Sequence, residues 1–131
     1  MENTYESRYP HLAYECGGGW DELIDKCVDK MLKADPTVNF LQIKEKFGGL
    51  RIYYSHSGNV ESLLDDYVAD AEDEAEKTCM LCGSTTNVRR TAEGWIRTEC
   101  TLCNEKRTAG LFYYGRKLGW LSREDYKEKY L

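Results

Sequence analysis

The first sustained pattern along the chain begins at Trp20. Trp20, Leu23, Ile24, Cys27, Val28 and Met31 recur at i, i+3, i+4, i+7, i+8 and i+11, which is one apolar stripe at helical period. Gly17-Gly18-Gly19 breaks the chain before it, and Asp35-Pro36 ends it. Asp21 and Glu22 sit in its first turn, where the helix dipole favours negative charge. The period then shortens. Val38–Lys44 and Leu50–His56 read as strands, and in the second Leu50, Ile52 and Tyr54 alternate with Arg51, Tyr53 and Ser55. Glu45-Lys46-Phe47-Gly48-Gly49 joins them, and its two glycines predict a tight reversal, hence an antiparallel hairpin.

A second helix is predicted over about Val60–Lys77, with Asn59 as N-cap and Leu63, Leu64, Tyr67, Val68, Ala71 and Ala75 on one apolar face. The rest of that helix is acidic, which predicts a solvated face; a site for a cation or a basic partner is the alternative. Residues 1–15 read as an irregular lead-in. A third helix is expected to continue from the last cysteines to about Lys117, with Gly119 closing it. A short final one is expected from Ser122, with Asp125 three residues on as a capping-box pattern.

Six cysteines change the picture. Four of them form Cys79-x2-Cys82-x17-Cys100-x2-Cys103, and two such pairs at this separation are a zinc signature. Thiolates are soft ligands matched to Zn²⁺, and four of them close a tetrahedron with no position left for water, so one structural Zn²⁺ is expected. Gly83, just after the first pair, allows the left-handed backbone a tight turn needs. Asn87–Thr91, the turn Ala92-Glu93-Gly94 and Trp95–Glu99 suit a hairpin between the pairs. Cys16 and Cys27 lie far upstream and read as reduced thiols, Cys27 in a core. His11 and His56 lack ligand spacing to the cysteines, and His56 reads as a surface or core-edge residue. The order knuckle, hairpin, second pair, helix resembles a treble-clef zinc finger.

The chain has 131 residues, 41% hydrophobic and 31% charged, which is globular composition. The N-terminal stretch has neither a basic n-region nor an apolar h-region, and no apolar run approaches the roughly 20 residues of a membrane span, so a cytoplasmic protein is expected. The net charge of −5 is uneven. Residues 1–78 carry 8 basic against 17 acidic side chains, whereas residues 79–131 carry 10 against 6. The acidic whole argues against non-specific nucleic-acid binding, but the basic C-terminal part keeps it possible there, through Arg89, Arg90, Arg97, Lys106 and Arg107. No P-loop, G-x-S-x-G, H-E-x-x-H or zinc-deaminase signature is present, so a non-enzymatic protein is expected.

The central motif combines Lys44, Lys46 and Arg51 with Phe47, Tyr53 and Tyr54 around one hairpin. Cations beside aromatics suit a ligand bearing phosphates and a base. Strand alternation places Arg51 and Tyr53 on the face opposite Leu50, Ile52 and Tyr54, so Lys44, Lys46, Arg51 and Tyr53 are the candidate ligand residues. The weightier reading of the same residues is an ordinary charged hairpin, with Phe47 anchoring the turn and Arg51 paired to the acidic helix.

Gly19-Trp20-x2-Leu23, the run Gln42-Ile43-Lys44-Glu45-Lys46-Phe47-Gly48-Gly49-Leu50-Arg51-Ile52-Tyr53-Tyr54, Cys79-x2-Cys82-Gly83, Gly94-Trp95 and Cys100-x2-Cys103 follow one another in this order. The series resembles a family of small, functionally uncharacterised bacterial, phage and prophage proteins with a KEKFG-to-LR segment before a zinc module. The resemblance covers about residues 17–105. Cys103 stands where family members can carry histidine, and the tail from Lys106 has no counterpart in it. It implies a phage or bacterial setting, the host cytoplasm if phage-encoded, and it carries no activity to transfer.

The expectations are therefore an α+β fold: a helix–hairpin–helix part over 1–78 and a treble-clef-like zinc module with an aromatic tail over 79–131, as one compact unit. The expected function is a zinc-stabilised, non-enzymatic, phage-type binding protein, a counter-defence factor that sequesters a small nucleotide-type signal or binds a host protein. The alternative is a nucleic-acid-binding zinc-finger accessory protein.

Overall fold

A computed structural model of the chain describes residues 14–91, 94–114 and 118–131. The fold of these residues is mixed α+β, with four helices and three small sheets. Helix α1 spans Asp21–Ala34 and buries Leu23, Ile24, Cys27, Val28 and Met31, the predicted stripe, with Leu32 added. Strand β2 (Asn39–Lys46) pairs antiparallel with β3 (Gly49–Ser55), Ile43 opposite Ile52 and Lys44 opposite Arg51. The register slips between Phe40 and Gln42, which turns Leu41 out to solvent.

The sheet is not purely antiparallel as expected. Tyr14–Glu15 forms a strand, β1, that pairs parallel with Ile43 and Lys44 of β2. Two residues ahead of three glycines carry no readable period, so they were indistinguishable from a lead-in. The expected lead-in over residues 1–13 lies outside the described residues, as does His11.

Helix α2 spans Glu61–Glu76 and packs on α1 and β3. Its N-cap is Val60, without a side-chain cap, rather than Asn59. Leu64, Ala71 and Ala75 are buried, whereas Leu63 is exposed, because it sits about 100° round the helix from Leu64. The acidic positions Asp65, Asp66, Asp70, Asp73, Glu74 and Glu76 face solvent.

Strands β4 (Val88–Arg90) and β5 (Thr98–Cys100) form the second hairpin, whose expected turn residues Ala92 and Glu93 lie outside the described residues. Helix α3 spans only Thr101–Thr108. It does not run to Lys117, because the amides of Ala109, Gly110 and Leu111 fold back onto the carbonyls of its last turn. Phe112–Tyr113 (β6) then pairs antiparallel with Trp120–Leu121 (β7). Helix α4 (Arg123–Tyr130) starts as expected, with the Ser122 hydroxyl accepting the Asp125 amide at 3.0 Å. The aromatic tail packs on itself: the Tyr114 and Tyr126 rings stack at 4.0 Å and Tyr113 meets Trp120 at 5.3 Å.

The two parts of the chain interlock. Trp20 is fully buried and its indole N–H donates to the Thr78 carbonyl at 2.8 Å, while the Gly19 amide donates to the Met80 carbonyl at 2.9 Å. Met80 belongs to the same core as α1 and the sheet. A boundary between residues 78 and 79 therefore runs through continuous packing.

His56 directly follows β3, partly buried, with Nδ1 3.6 Å from buried Asp35 and Nε2 3.6 Å from Glu61. The Thr37 hydroxyl and amide donate to Asp35 Oδ1 at 2.6 and 2.9 Å, and they hold its carboxyl below the usual carboxylate range. A folded-state pKa below the unfolded value of about 3.9 means stability present above that pH and lost as pH falls through the folded value. The stability difference between wild type and Asp35→Asn in urea unfolding is expected to shrink steadily from about pH 5 to pH 2. A difference that stays constant over that range would contradict the assignment.

Candidate metal centre and ligand face

The first cysteine pair lies in the turn after α2. The Cys79 amide donates to the Ser84 carbonyl at 2.7 Å and the Gly83 amide returns to the Cys79 carbonyl at 2.9 Å. Gly83 takes φ +81, the left-handed conformation expected for it. The second pair straddles a helix start. Cys100 ends β5 and caps α3, its sulfur accepting the Cys103 amide at 3.4 Å.

The four sulfurs of Cys79, Cys82, Cys100 and Cys103 all lie within 4.8 Å of one another. Cys82 and Cys100 Sγ are 3.7 Å apart, far beyond the roughly 2.05 Å of a disulfide. A tetrahedron with metal–sulfur bonds of about 2.3 Å has edges of about 3.8 Å. The quartet thus matches the donor set and spacing of a four-thiolate metal site and can hold a metal ion. Among the described residues no other group of three or more such ligands converges.

Burial raises the thiol pKa of Cys82 and of Cys103. At Cys100 burial is outweighed by the Cys103 amide and the neighbouring thiols, which lower it. A divalent cation would resolve this crowding by taking all four as thiolates. Cys16 and Cys27 are free thiols that burial pushes up to about 12, and Cys27 lies in the core as expected.

Sequence reasoning missed the group that braces this site. Glu99 is 0% exposed. Its Oε1 accepts from Asn104 Nδ2 at 2.8 Å and Arg107 Nη2 at 2.8 Å, with Arg107 Nε also in reach. Against the cost of burial, these donors hold the Glu99 carboxyl low. The only signal in the sequence is a charged residue inside a strand directly before a cysteine, and nothing there names its partners.

The four candidate ligand residues come together on the outer face of the β2–β3 hairpin. Lys44 stands opposite Arg51, Lys46 opposite Gly49 and Gln42 opposite Tyr53, alternating with buried Ile43, Leu50 and Ile52. Glu15 lies beside Lys44 in register, but its Oε2 accepts Gln42 Nε2 at 2.7 Å. Among the described residues no carboxylate lies within 4 Å of the Lys44, Lys46 or Arg51 cation. The expected pairing of Arg51 with the acidic helix is thus absent; its charge only offsets part of the rise that burial imposes on Glu72.

Arg90 joins this face from β4, which the sequence did not foretell. Arg51 Nη1 and Arg90 Nη2 lie 3.0 and 3.2 Å from where a Cβ on Gly49 would stand. Arg89, Arg90 and Arg107, with Thr91, Asn104 and Thr108, line a groove of about 650 Å³ between the hairpin and α3. Arg97 lines a different cleft, with Phe112 and Trp120, and Lys106 is exposed on α3 away from the groove lining.

No family model, curated protein or solved structure matches the chain. No described helix is long and apolar enough to cross a membrane. Removing Arg107 would leave Glu99 buried and half-partnered. Arg107→Ala is expected to lower stability by about 3 kcal/mol in urea unfolding, whereas a surface change such as Lys106→Ala stays within about 0.5 kcal/mol. Equal small effects would show that Glu99 does not depend on its arginine.

Proposed function

We propose that the chain is a non-enzymatic binding protein, built around one structural Zn²⁺ on Cys79, Cys82, Cys100 and Cys103, that captures a phosphate-bearing ligand on its hairpin face. The observation that carries this reading is the gathering of Lys44, Lys46 and Arg51 on one outward face without carboxylate partners, beside Tyr53, with Arg90 brought in from a second hairpin. Arg51 Nη1 donates to the Leu50 carbonyl at 2.9 Å, which orients a guanidinium that, among the described residues, has no carboxylate partner. Such groups offer charge-assisted hydrogen bonds to phosphate oxygens, and an exposed tyrosine ring offers a face to a base.

Zinc is the metal the four-thiolate set favours. Four thiolates leave no open position, so the ion holds the fold and does no chemistry. The order of knuckle, hairpin, second pair and helix supports a treble-clef-like module. The phage setting rests on the motif resemblance; the counter-defence role, in which a nucleotide-type signal is sequestered, rests on analogy with small phage proteins that lack catalytic signatures, and both belong to the same proposal. A cytoplasmic site of action accords with the reduced thiol set.

Elemental analysis is expected to give one zinc per chain. Chelation, or Cys82→Ser, is expected to unfold residues 79–131, seen as loss of amide-exchange protection there; full protection in the metal-free chain would contradict a structural zinc. For the ligand face, calorimetry against pyrophosphate, ADP and a short oligonucleotide is expected to show binding of at least one. Arg51→Ala should weaken that binding at least about tenfold with an unchanged melting curve. Retention of none of the three at 50 mM salt would sink the reading.

A further inference from the structure

The hairpin turn carries a feature that phosphate capture alone does not use. Phe47 adopts φ 52, a left-handed conformation that a bulky residue rarely takes, and the residue is 67% exposed. The surrounding turn imposes this. Glu45 Oε2 accepts the Gly48 amide at 3.0 Å, and the Gly48 carbonyl accepts the Thr98 hydroxyl at 2.6 Å. Gly48 itself sits at φ +78, and a Cβ there would fall 3.1 Å from Ile96 Cγ2 and 3.2 Å from the Arg97 backbone, so any side chain here is strained and crowded. The turn is thereby pinned to the segment carrying Trp95, which is 68% exposed.

Phe47, Trp95 and Ile96, with Glu45, Lys46 and Gly94, line one cleft of about 380 Å³. Two large aromatic rings are thus left in water in a single cleft, one of them in a strained backbone. Neither belongs to a core cluster, so packing does not account for them. Lys46 Nζ lies 5.9 Å from the Phe47 ring centroid, which puts a cation at the cleft's edge.

The cleft is continuous with the cationic groups. Lys46 and Phe47 line it; Gly49, two residues on, lies against both Arg51 and Arg90; and Arg90 also lines the groove with Arg89, Asn104 and Thr108. Arg107 in that groove is engaged by Glu99 and adds little of its own. A mononucleotide would fill the aromatic cleft or the groove, not both. A strand of nucleotides uses both, with a base between Phe47 and Trp95 and successive phosphates along Arg51, Arg90 and Arg89. A duplex keeps its bases stacked inside and has none to insert.

Building on the phosphate-capture reading, we infer that the ligand is a single-stranded nucleic acid, with Phe47 and Trp95 as its stacking platform and Lys46, Arg51, Arg90 and Arg89 as its phosphate track.

Fluorescence anisotropy of labelled dT15 and U15 at 50 mM salt, on the zinc-loaded full chain, tests the inference against a 15-base-pair duplex and ADP as competitors. At least one single strand is expected to bind, more tightly than either competitor. Trp95→Ala and Phe47→Ala should each weaken it by about 5- to 150-fold with unchanged melting curves, while Trp95→Phe retains most of the affinity. Arg90→Ala should reduce the slope of log affinity against log salt by about 0.7. Quenching of tryptophan fluorescence by the strand should vanish in Trp95→Phe, because Trp20 is buried and Trp120, packed on Tyr113, lines a separate cleft outside the proposed track. Competition by ADP or duplex as strong as by the single strand, or affinity indifferent to both aromatic truncations, overturns the inference and leaves phosphate capture standing. Failure of single strands, pyrophosphate and ADP alike removes both readings.

Discussion

The structure depends on the seam where the first cysteine turn meets the start of α1. There the Trp20 indole donates to the Thr78 carbonyl and the Gly19 amide to the Met80 carbonyl, with the Trp20 ring and Met80 in one core. A buried carbonyl without its donor costs about 1–3 kcal/mol, and losing the ring adds a cavity, so this seam ties the two parts into one cooperative unit. The Met80 amide in turn donates to the Thr98 carbonyl at 2.9 Å, and the Thr98 hydroxyl donates to Gly48 at the hairpin turn. One chain of hydrogen bonds thus runs from α1 through the cysteine turn and β5 to the tip that presents Phe47. A metal ion at Cys79, Cys82, Cys100 and Cys103 would fix the middle of that chain. This links metal loading to the geometry of the ligand face without any contact between the ion and the ligand.

Charge follows the same division. The acidic excess of residues 1–78 is concentrated on the exposed side of α2, whereas Arg90 of β4 stands beside Arg51 on the face that carries Lys44 and Lys46. Net charge alone would assign this chain to the proteins that avoid polyanions. Segregation changes the reading: at physiological ionic strength the Debye length is about 8 Å, so the charge that counts at the hairpin face is the local one, the Lys44, Lys46, Arg51 and Arg90 cations, with Glu72 of α2 near enough to feel Arg51.

Much of this was legible in the sequence because it is periodic or spaced. The stripe from Trp20 to Met31 appears as α1, the alternation from Leu50 to Tyr54 as β3, and the two cysteine pairs converge as their spacing requires. Lys44, Lys46, Arg51 and Tyr53 share a face because strand alternation admits no other arrangement once Ile43, Leu50 and Ile52 are buried. What stayed hidden was non-local or too short to have a period. β1 is two residues long, α3 ends through hydrogen bonds that Gly110 and Leu111 make, and Glu99 is matched to Arg107 by the fold of a hairpin onto a helix. Arg90 meets Arg51 across some forty residues of chain, and no local rule connects them.

Phe47 shows how these layers combine. Left-handed backbone at a bulky residue costs on the order of 1–3 kcal/mol and persists only where neighbours over-determine it. Here Glu45 caps the turn, Gly48 packs tightly against Ile96 and Arg97, and Thr98 holds the Gly48 carbonyl. Three independent constraints therefore converge on a four-residue tip, and their joint result is an aromatic ring exposed to water. If the turn served only to connect two strands, a small polar residue at position 47 would meet the same backbone at lower cost and without exposed apolar surface. The side chain's outward presentation is thus the property the surrounding residues maintain, and the seam at Trp20 and the cysteine turn supplies the rigid frame that keeps it there.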